Sequence, residues 1–519
     1  MSLIAKQIFY SFSRRERQIF IGAIFVFLVS FSFWLALILG NHLEFLPAKG
    51  GQYREGEIGQ PIFINPVISN NEVDRDLASL IYSRLLDLSS GYQIEAGSND
   101  TNYLVKLKQN LVWDDGQPLT SDDVIFTLQT IQDPDSRSPL FQEWQGVVVE
   151  RVSELQVRFI LRNPYVFFPD NLRNLPILPQ HIFGKVPMAN LRGSDYNKEP
   201  VGNGPYKFEK FSKEKDGLYT QYQLTINENY AGQKPYLEKF IFKFYETIDD
   251  LIKAFNQKEI DGFGGLNPKQ IKNISLNKNL QGLVMSNNYA IFFNQNSNSN
   301  LKDKNIRLAL FQAIDKKEII KNVFEGEAME INQNPNSTST LNSADLQKKN
   351  LEFNLVVPQI DFLIKTAEII KDEWGKLNIK LNLIIRNPND IINEEIRRRD
   401  YEMIIFGLNP QNPEDLFSFW HSSQKFYPGL NLALYDNPQA DKLMGTIRQT
   451  ADPNERQTQL KNLQNIINQD LPAIFLYSSK YFYVTAKNLN GFNEKFISTP
   501  SDRFQNIKNW YVKTTWLFK

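Results

Sequence analysis

The sequence predicts an α/β protein of at least two lobes, standing on one apolar N-terminal helix. Its 519 residues exceed what one hydrophobic core usually supports. The run from Ile19 to Gly40 carries no charge. After Leu351, two strand-like runs flank an amphipathic helix, the β-α-β pattern of a parallel sheet. With 42% hydrophobic and 22% charged residues, the chain can bury a core and solvate a surface.

The segment Ile19–Gly40 would form a helix of about 33 Å, enough to cross a bilayer core. Lys6, Arg14, Arg15 and Arg17 precede it, while Asn41, His42 and Glu44 follow. The positive-inside bias therefore places residues 1–18 in the cytoplasm, 19–40 in the membrane and the rest on the extracytoplasmic side. A cleaved signal peptide is the competing reading. The apolar run is longer than such peptides carry and Leu37-Ile-Leu-Gly-Asn-His-Leu-Glu-Phe45 offers no small-x-small site, which favours an uncleaved anchor. Residues 41–51, with Pro47, Gly50 and Gly51, read as a linker.

Beyond it, Val73, Leu77, Leu80, Ile81 and Leu85 recur at helical spacing and predict an amphipathic helix over Glu72–Leu88. Asn102–Lys108 reads as a strand. In Leu111–Val124, Asp115-Gly116 marks a turn and Thr120 an N-cap with Asp123 at N3, so the two Asp pairs fit turn and cap rather than acid–base chemistry. Val147–Leu161 alternates as strands, and Asn163-Pro-Tyr-Val-Phe-Phe-Pro169 interrupts them with an apolar, proline-bounded segment. Pro200-Val-Gly-Asn-Gly-Pro-Tyr-Lys-Phe208 forces a tight backbone path, but lacks the Lys-Ser/Thr and following helix of a phosphate loop.

Thr247 caps a helix through Phe255. Asp303 caps another over Ile306–Ile314, and Asp315-Lys-Lys-Glu318 restarts it as a capping box ending at Gly326. Leu351–Val357 and Ile379–Ile385 are the strands of the β-α-β unit, with Leu363, Ala367, Ile370, Trp374 and Leu377 on the buried face of the helix between them. A helix over Ile391–Arg399, a strand over Tyr401–Leu408, a helix from Asp452 with Leu460, Leu463, Ile466 and Ile467 on one face, and one long strand over Pro472–Tyr483 complete the reading.

Lys plus Arg and Asp plus Glu number 58 each, so net charge announces no basic face and no nucleic-acid partner is expected. The absence of cysteine excludes disulfides, thiolate metal sites, a Cys nucleophile and a lipid-modified N-terminal Cys. His42, His181 and His421 have no HExxH or HxH spacing, and no metal or cofactor is expected. There is no GxSxG, no HExxH and no SxxK followed by a compatible second motif, so an enzyme is not expected.

Five segments, in order, resemble the family 5 extracellular solute-binding proteins. They are Trp113-Asp-Asp-Gly-Gln-Pro-Leu-Thr-Ser-Asp-Asp-Val124, Pro200–Phe208, Asn227-Glu-Asn-Tyr-Ala-Gly-Gln-Lys-Pro-Tyr236, Phe255-Asn-Gln-Lys-Glu-Ile-Asp261 and Asn305-Ile-Arg-Leu-Ala-Leu-Phe-Gln-Ala-Ile-Asp315. The resemblance runs from about Glu57 to the C-terminus. It implies a two-lobed periplasmic-binding-protein type II fold with mixed sheets and a hinge of two crossing strands. Lobe I would comprise 52–287 and 482–519, lobe II 288–481, with Tyr289–Asn294 and Ala473–Tyr483 as the crossing strands.

The implied function is the bacterial substrate-binding component of an ABC importer, taking a peptide or other small solute into the interlobe cleft for a membrane permease. In peptide binders of the family an Asp pairs with the ligand's α-amino group. Asn409 stands at that position in Phe406-Gly-Leu-Asn-Pro-Gln-Asn-Pro413, and an amide lacks the charge for the contact unless Glu414 or Asp415 substitutes. The ligand-binding residues implied are Asn203, Tyr289, Phe406, Asn409 and Trp420, aromatics and amides suiting apolar bodies with backbone-like polar groups. Core packing is the competing role for Tyr289, Phe406 and Trp420. A membrane-anchored sensor or scaffold using the same clamp is the alternative, and residues 1–18 are short for a cytoplasmic output domain.

Overall fold

The structure, a computed structural model, describes residues 11–97, 100–335, 337, 339–341, 343–410 and 412–518. A helix spans Arg14–His42, and its Arg14–Leu35 stretch is long and apolar enough to cross a membrane, with none of it buried against the rest of the protein. Part of the expected cytoplasmic segment, residues 1–10, lies outside the described residues.

The expected linker is not a free connection. Leu43–Ala48 follows the helix without a break and pairs antiparallel with Lys513–Phe518, from Leu43↔Phe518 to Ala48↔Lys513. The hydrogen-bonding partner of this strand lies at the other end of the chain, so local pattern could not reveal it.

Two larger sheets organise the remainder. An eight-stranded mixed sheet runs in the order Phe496–Ile497, Lys278–Met285, Lys480–Ala486, Gly262–Leu266, Gln52–Ile58, Lys239–Tyr245, Tyr219–Ile226, Tyr206–Lys213. Against it packs a four-stranded antiparallel sheet of Ser89–Ile94, Asn102–Leu107, Gln156–Ile160 and Val148–Ser153, sharing one core that contains Trp113, Trp144, Phe168 and Trp510. A six-stranded sheet has the order Met329–Glu330, Ala473–Ser478, Asn288–Phe293, Met403–Leu408, Glu352–Pro358, Lys380–Arg386.

The β-α-β unit lies at the edge of the six-stranded sheet. Glu352–Pro358 and Lys380–Arg386 pair in parallel through the helix Asp361–Gly375, which buries Leu363, Ala367, Ile370 and Trp374. Strand alternation sends Ile291, Phe293, Met403 and Ile405 to the face under this helix. Ala290, Phe292, Ile404 and Leu408 face the opposite way, onto the helices Pro438–Ile447 and Pro453–Asp470.

Local signals fixed most ends. Thr120 and Asp123 form the expected capping box of Ser121–Gln132, and Thr247, Asp303 and Asp315 cap Ile248–Asn256, Lys304–Gln312 and Lys316–Phe324. Three expectations need correction. The helix from Glu72 stops at Ile81, because Tyr82 turns extended and Leu85–Asp87 forms a separate short turn. Ile391–Ile396 is a π-helical turn rather than a regular helix. The single strand expected over Pro472–Tyr483 is two, Ala473–Ser478 and Lys480–Ala486, each in a different sheet.

Candidate functional site

Ser479 is where that strand changes sheets, and Ser286–Asn287 is where Lys278–Met285 hands over to Asn288–Phe293. The two passages lie side by side. Ser478 Oγ donates to Met285 O at 2.9 Å, Met285 N donates to Ser479 O at 3.4 Å, and Asn287 Nδ2 reaches Ser479 Oγ at 3.4 Å. Two short, polar, single-stranded passages joining two sheets are what a hinge needs, because only a few backbone torsions must absorb the motion.

The walls beside the hinge carry charge on one side and rings on the other. From the eight-stranded unit come Glu57, Glu72 and Tyr481. Arg503, fully buried, binds Glu55 at 2.9 Å, Glu57 at 2.6 Å and Asp76 at 2.6 Å, while Tyr483 Oη donates to Glu55 at 2.7 Å. One guanidinium thus serves three carboxylates. Burial, with the Asp76 charge added, pushes the Glu57 carboxyl well above its ordinary range, and the same two causes raise Glu72. Glu72 nevertheless remains open to water.

From the six-stranded unit comes Tyr289, half-buried on Phe362 and Tyr477 at ring separations of 5.2 and 5.5 Å. Burial pushes its hydroxyl up to about 12, and the Glu72 charge adds to the shift. Gly407 faces Tyr289 across the strands, and a Cβ there would stand 2.9 Å from the ring.

The structure brings some of the expected site residues together and separates others. Asn409 is exposed at the end of Met403–Leu408, accepting from Ser286 Oγ at 2.7 Å and donating to Ser498 O at 2.7 Å, so it touches both units at the hinge. Tyr289 lies on the adjacent strand. Phe406 is half-buried on the opposite sheet face from Tyr289, packed with the core that holds Trp420. Trp420 is 2% exposed among Phe292, Tyr435 and Phe475. Asn203 is buried in the eight-stranded unit, where its Oδ1 accepts from Ser83 N at 2.7 Å and so holds the end of helix Glu72–Ile81. Gly202 and Gly204 allow that contact, since a Cβ on either would collide with the Ile81 carbonyl.

Glu414 and Asp415, considered as substitutes for a charged group at Asn409, already have partners. Arg456 Nε donates to Glu414 at 2.6 Å, and Arg448 grips Asp415 through Nε and Nη2 at 2.8–3.1 Å.

A second meeting of the two units involves the proline-bounded segment. Tyr165 Oη donates to Asp415 at 2.7 Å, Val166 N to Arg448 O at 2.8 Å, and Asn412 Nδ2 to Asp170 at 2.8 Å. Phe168 points into the core of its own unit, whereas its neighbour Phe167 is buried in the core under Trp420, with Arg456 over its ring. Sequence reasoning did not reach Glu57, Glu72, Tyr481 or this contact. The one local signal was the apolar run Tyr165–Phe168 in a segment too short and proline-bounded to be a strand.

Among the described residues no group of three His, Asp or Glu side chains is arranged to hold a metal ion. His181 pairs with Asp115 at 2.9 Å and His421 stacks on Phe417.

Comparison with known proteins matches residues 93–427 to the bacterial extracellular solute-binding proteins, family 5 Middle. The oligopeptide-binding protein AppA of Bacillus subtilis (strain 168) is 26% identical over 90% of this chain and 92% of its own length. Its solved structure, in complex with a nonapeptide, has a TM-score of 0.73 at 23% identity, covering 90% of this chain and 100% of that one. NikZ from Campylobacter jejuni, in complex with Ni(L-His), has a TM-score of 0.72 at 21% identity, covering 89% and 99%. These likenesses establish the shared fold.

Proposed function

Since the chain belongs to the bacterial extracellular solute-binding proteins of family 5, we propose that it is the ligand-capturing component of an ABC importer. It closes two lobes on a peptide or peptide-like solute and presents the closed form to a membrane permease. The lobes are 52–287 with 482–519, and 288–481. The observation that carries this reading is the paired change of sheet at Ser286–Asn287 and Ser479, which makes the connection between the two larger sheets a double-stranded hinge.

Closure requires the ligand to touch both walls, because contacts to one lobe alone bind the open and closed forms equally. Moving such an equilibrium from mostly open to mostly closed takes about 5.5 kcal/mol of differential binding. Tyr289 and Asn409 offer an aromatic face and an amide from one lobe. Glu72 offers an exposed carboxyl from the other, the acidic group that Asn409 lacks, while Glu57 is already held by Arg503. That combination favours a solute carrying both an apolar body and an ammonium group. The B. subtilis relative, solved with a nonapeptide, supports a peptide, and the Ni(L-His) complex of the C. jejuni protein supports smaller amino-acid ligands as the comparison to test.

The helix Arg14–His42 is read as an uncleaved anchor. Held at the membrane, the clamp works at raised effective concentration beside its permease. Mass spectrometry of small molecules released from the purified full-length protein, followed by titration of the released species, tests the reading. The expected result is a peptide-like solute that binds once per chain and shortens the distance between lobes. Binding without any change in that distance overturns the clamp.

A further inference from the structure

We propose that the ribbon formed by the two terminal strands is a membrane-docking element that lies in the outer head-group layer and fixes the height of the binding lobes above the bilayer. The inference rests on the reading of Arg14–His42 as an uncleaved anchor. The 29-residue helix is about 43 Å long, which matches the 40–45 Å of a bilayer with its head groups. With Arg14, Arg15 and Arg17 at one end, the other end falls at the outer surface.

No residue separates the helix from the ribbon, since His42 ends one and Leu43 begins the other. Phe45 therefore lies within about 10 Å of chain from the helix terminus. Directly opposite it in the register stands Trp516, so the two rings share one face of the ribbon. Phe45 is 67% and Trp516 66% exposed, and Leu46 is also open. Large rings left in water at this position have one solvent close by that suits them, because Trp and other amphipathic aromatics partition to the boundary between head groups and acyl chains. Exposed Lys49 and Lys513 flank the far end of the ribbon, where ammonium groups meet lipid phosphates.

The ribbon also changes what kind of tether this is. A single linker would let the lobes swing, whereas pairing Leu43–Ala48 with Lys513–Phe518 lashes the anchor to the C-terminal strand of the body. At the root of the ribbon Gly50 N donates to Tyr236 O at 2.8 Å, and Tyr236 packs against Tyr511. The lobes then stand at a set distance and orientation over the membrane.

The cysteine-free chain makes the test direct, because one introduced cysteine gives one label. Full-length protein carrying a fluorophore at Thr514→Cys, Lys215→Cys or Val29→Cys is placed in phosphatidylcholine/phosphatidylglycerol vesicles with nitroxide quenchers at the head group or deep in the acyl chain. The Thr514 probe should lose roughly half of its emission to the head-group quencher, since an interfacial element sinks about 5–10 Å into that boundary. The Lys215 probe, on an exposed loop, should be unaffected. Adding Phe45→Ser and Trp516→Ser should restore the Thr514 emission. If the Thr514 probe behaves like Lys215 while the Val29 probe is quenched by the deep label, the anchor stands and ribbon docking is overturned. Quenching at Thr514 that survives the double substitution shows proximity through the helix alone and equally overturns it. An unquenched Val29 probe removes the anchor reading, and the inference with it.

Discussion

Replacing Phe167 with Ala should open the clamp without unfolding it. Phe167 belongs by chain position to the unit of the eight- and four-stranded sheets, yet its ring is 4% exposed in the core beneath Trp420 of the six-stranded unit. Opening must withdraw it into water. Removing that burial weakens the closed form by at most about 1.5–3 kcal/mol, a shift of about tenfold to 150-fold in the open-to-closed ratio. The value is an upper limit, because an open form retains part of the burial. Loss of the Arg456 guanidinium's contact with the ring adds about 0.5–1 kcal/mol. Spin labels on Lys215→Cys and Lys461→Cys would report the distance between units in a chain that has no other cysteine. The long-distance population should grow in the ligand-free Phe167→Ala protein, and apparent affinity should fall by the factor lost from the closed population. A closed population that stays constant while the melting midpoint drops would show that Phe167 serves only as core and refute the latch.

Gly202→Ala should cost at least about 1–3 kcal/mol of stability in chemical denaturation, because its Cβ would lie 2.2 Å from the Ile81 carbonyl oxygen in a packed site. Burial lifts Asp114 to about 6, well above its ordinary 3.8, although Gly202 N donates to it at 3.0 Å. The folded state therefore holds the proton more tightly than the unfolded one, and this contribution to stability is full below pH 3.8 and lost as pH rises through about 6. Asp114→Asn, which keeps an acceptor for Gly202, should raise the melting midpoint at pH 7.5 and lose that advantage by pH 4; a constant offset across pH would contradict the assignment. Glu72→Gln should weaken binding of an ammonium-bearing solute by about fivefold to tenfold at low salt, with a smaller loss at high salt, measured by calorimetry. An unchanged affinity would remove Glu72 from the ligand wall.

Much of the local architecture was readable along the chain. The β-α-β unit at Glu352–Arg386 follows from a helical stripe between two apolar runs, and Thr120, Thr247, Asp303 and Asp315 cap helices because their side chains reach amides two or three residues on. The ordered motifs from Trp113 to Asp315 pointed to the solute-binding family, to which the chain belongs. Residues chosen for chemical type fared differently. Asn203 and Trp420 carry suitable groups, but Asn203 holds a helix end and Trp420 fills a core. Tyr289 and Phe406 sit on adjacent strands yet face opposite sides of one sheet.

By itself the sequence determined the periodicities, the caps, the membrane-length apolar helix and the family, because each depends on residues within a few turns or on motifs in linear order. Only the tertiary structure decided where the long C-terminal strand breaks, which strand the segment after the helix pairs with, and which carboxylates crowd around Arg503. Those outcomes depend on groups hundreds of positions apart being packed into one place, where burial and neighbouring charge, rather than residue type, set what a side chain can do.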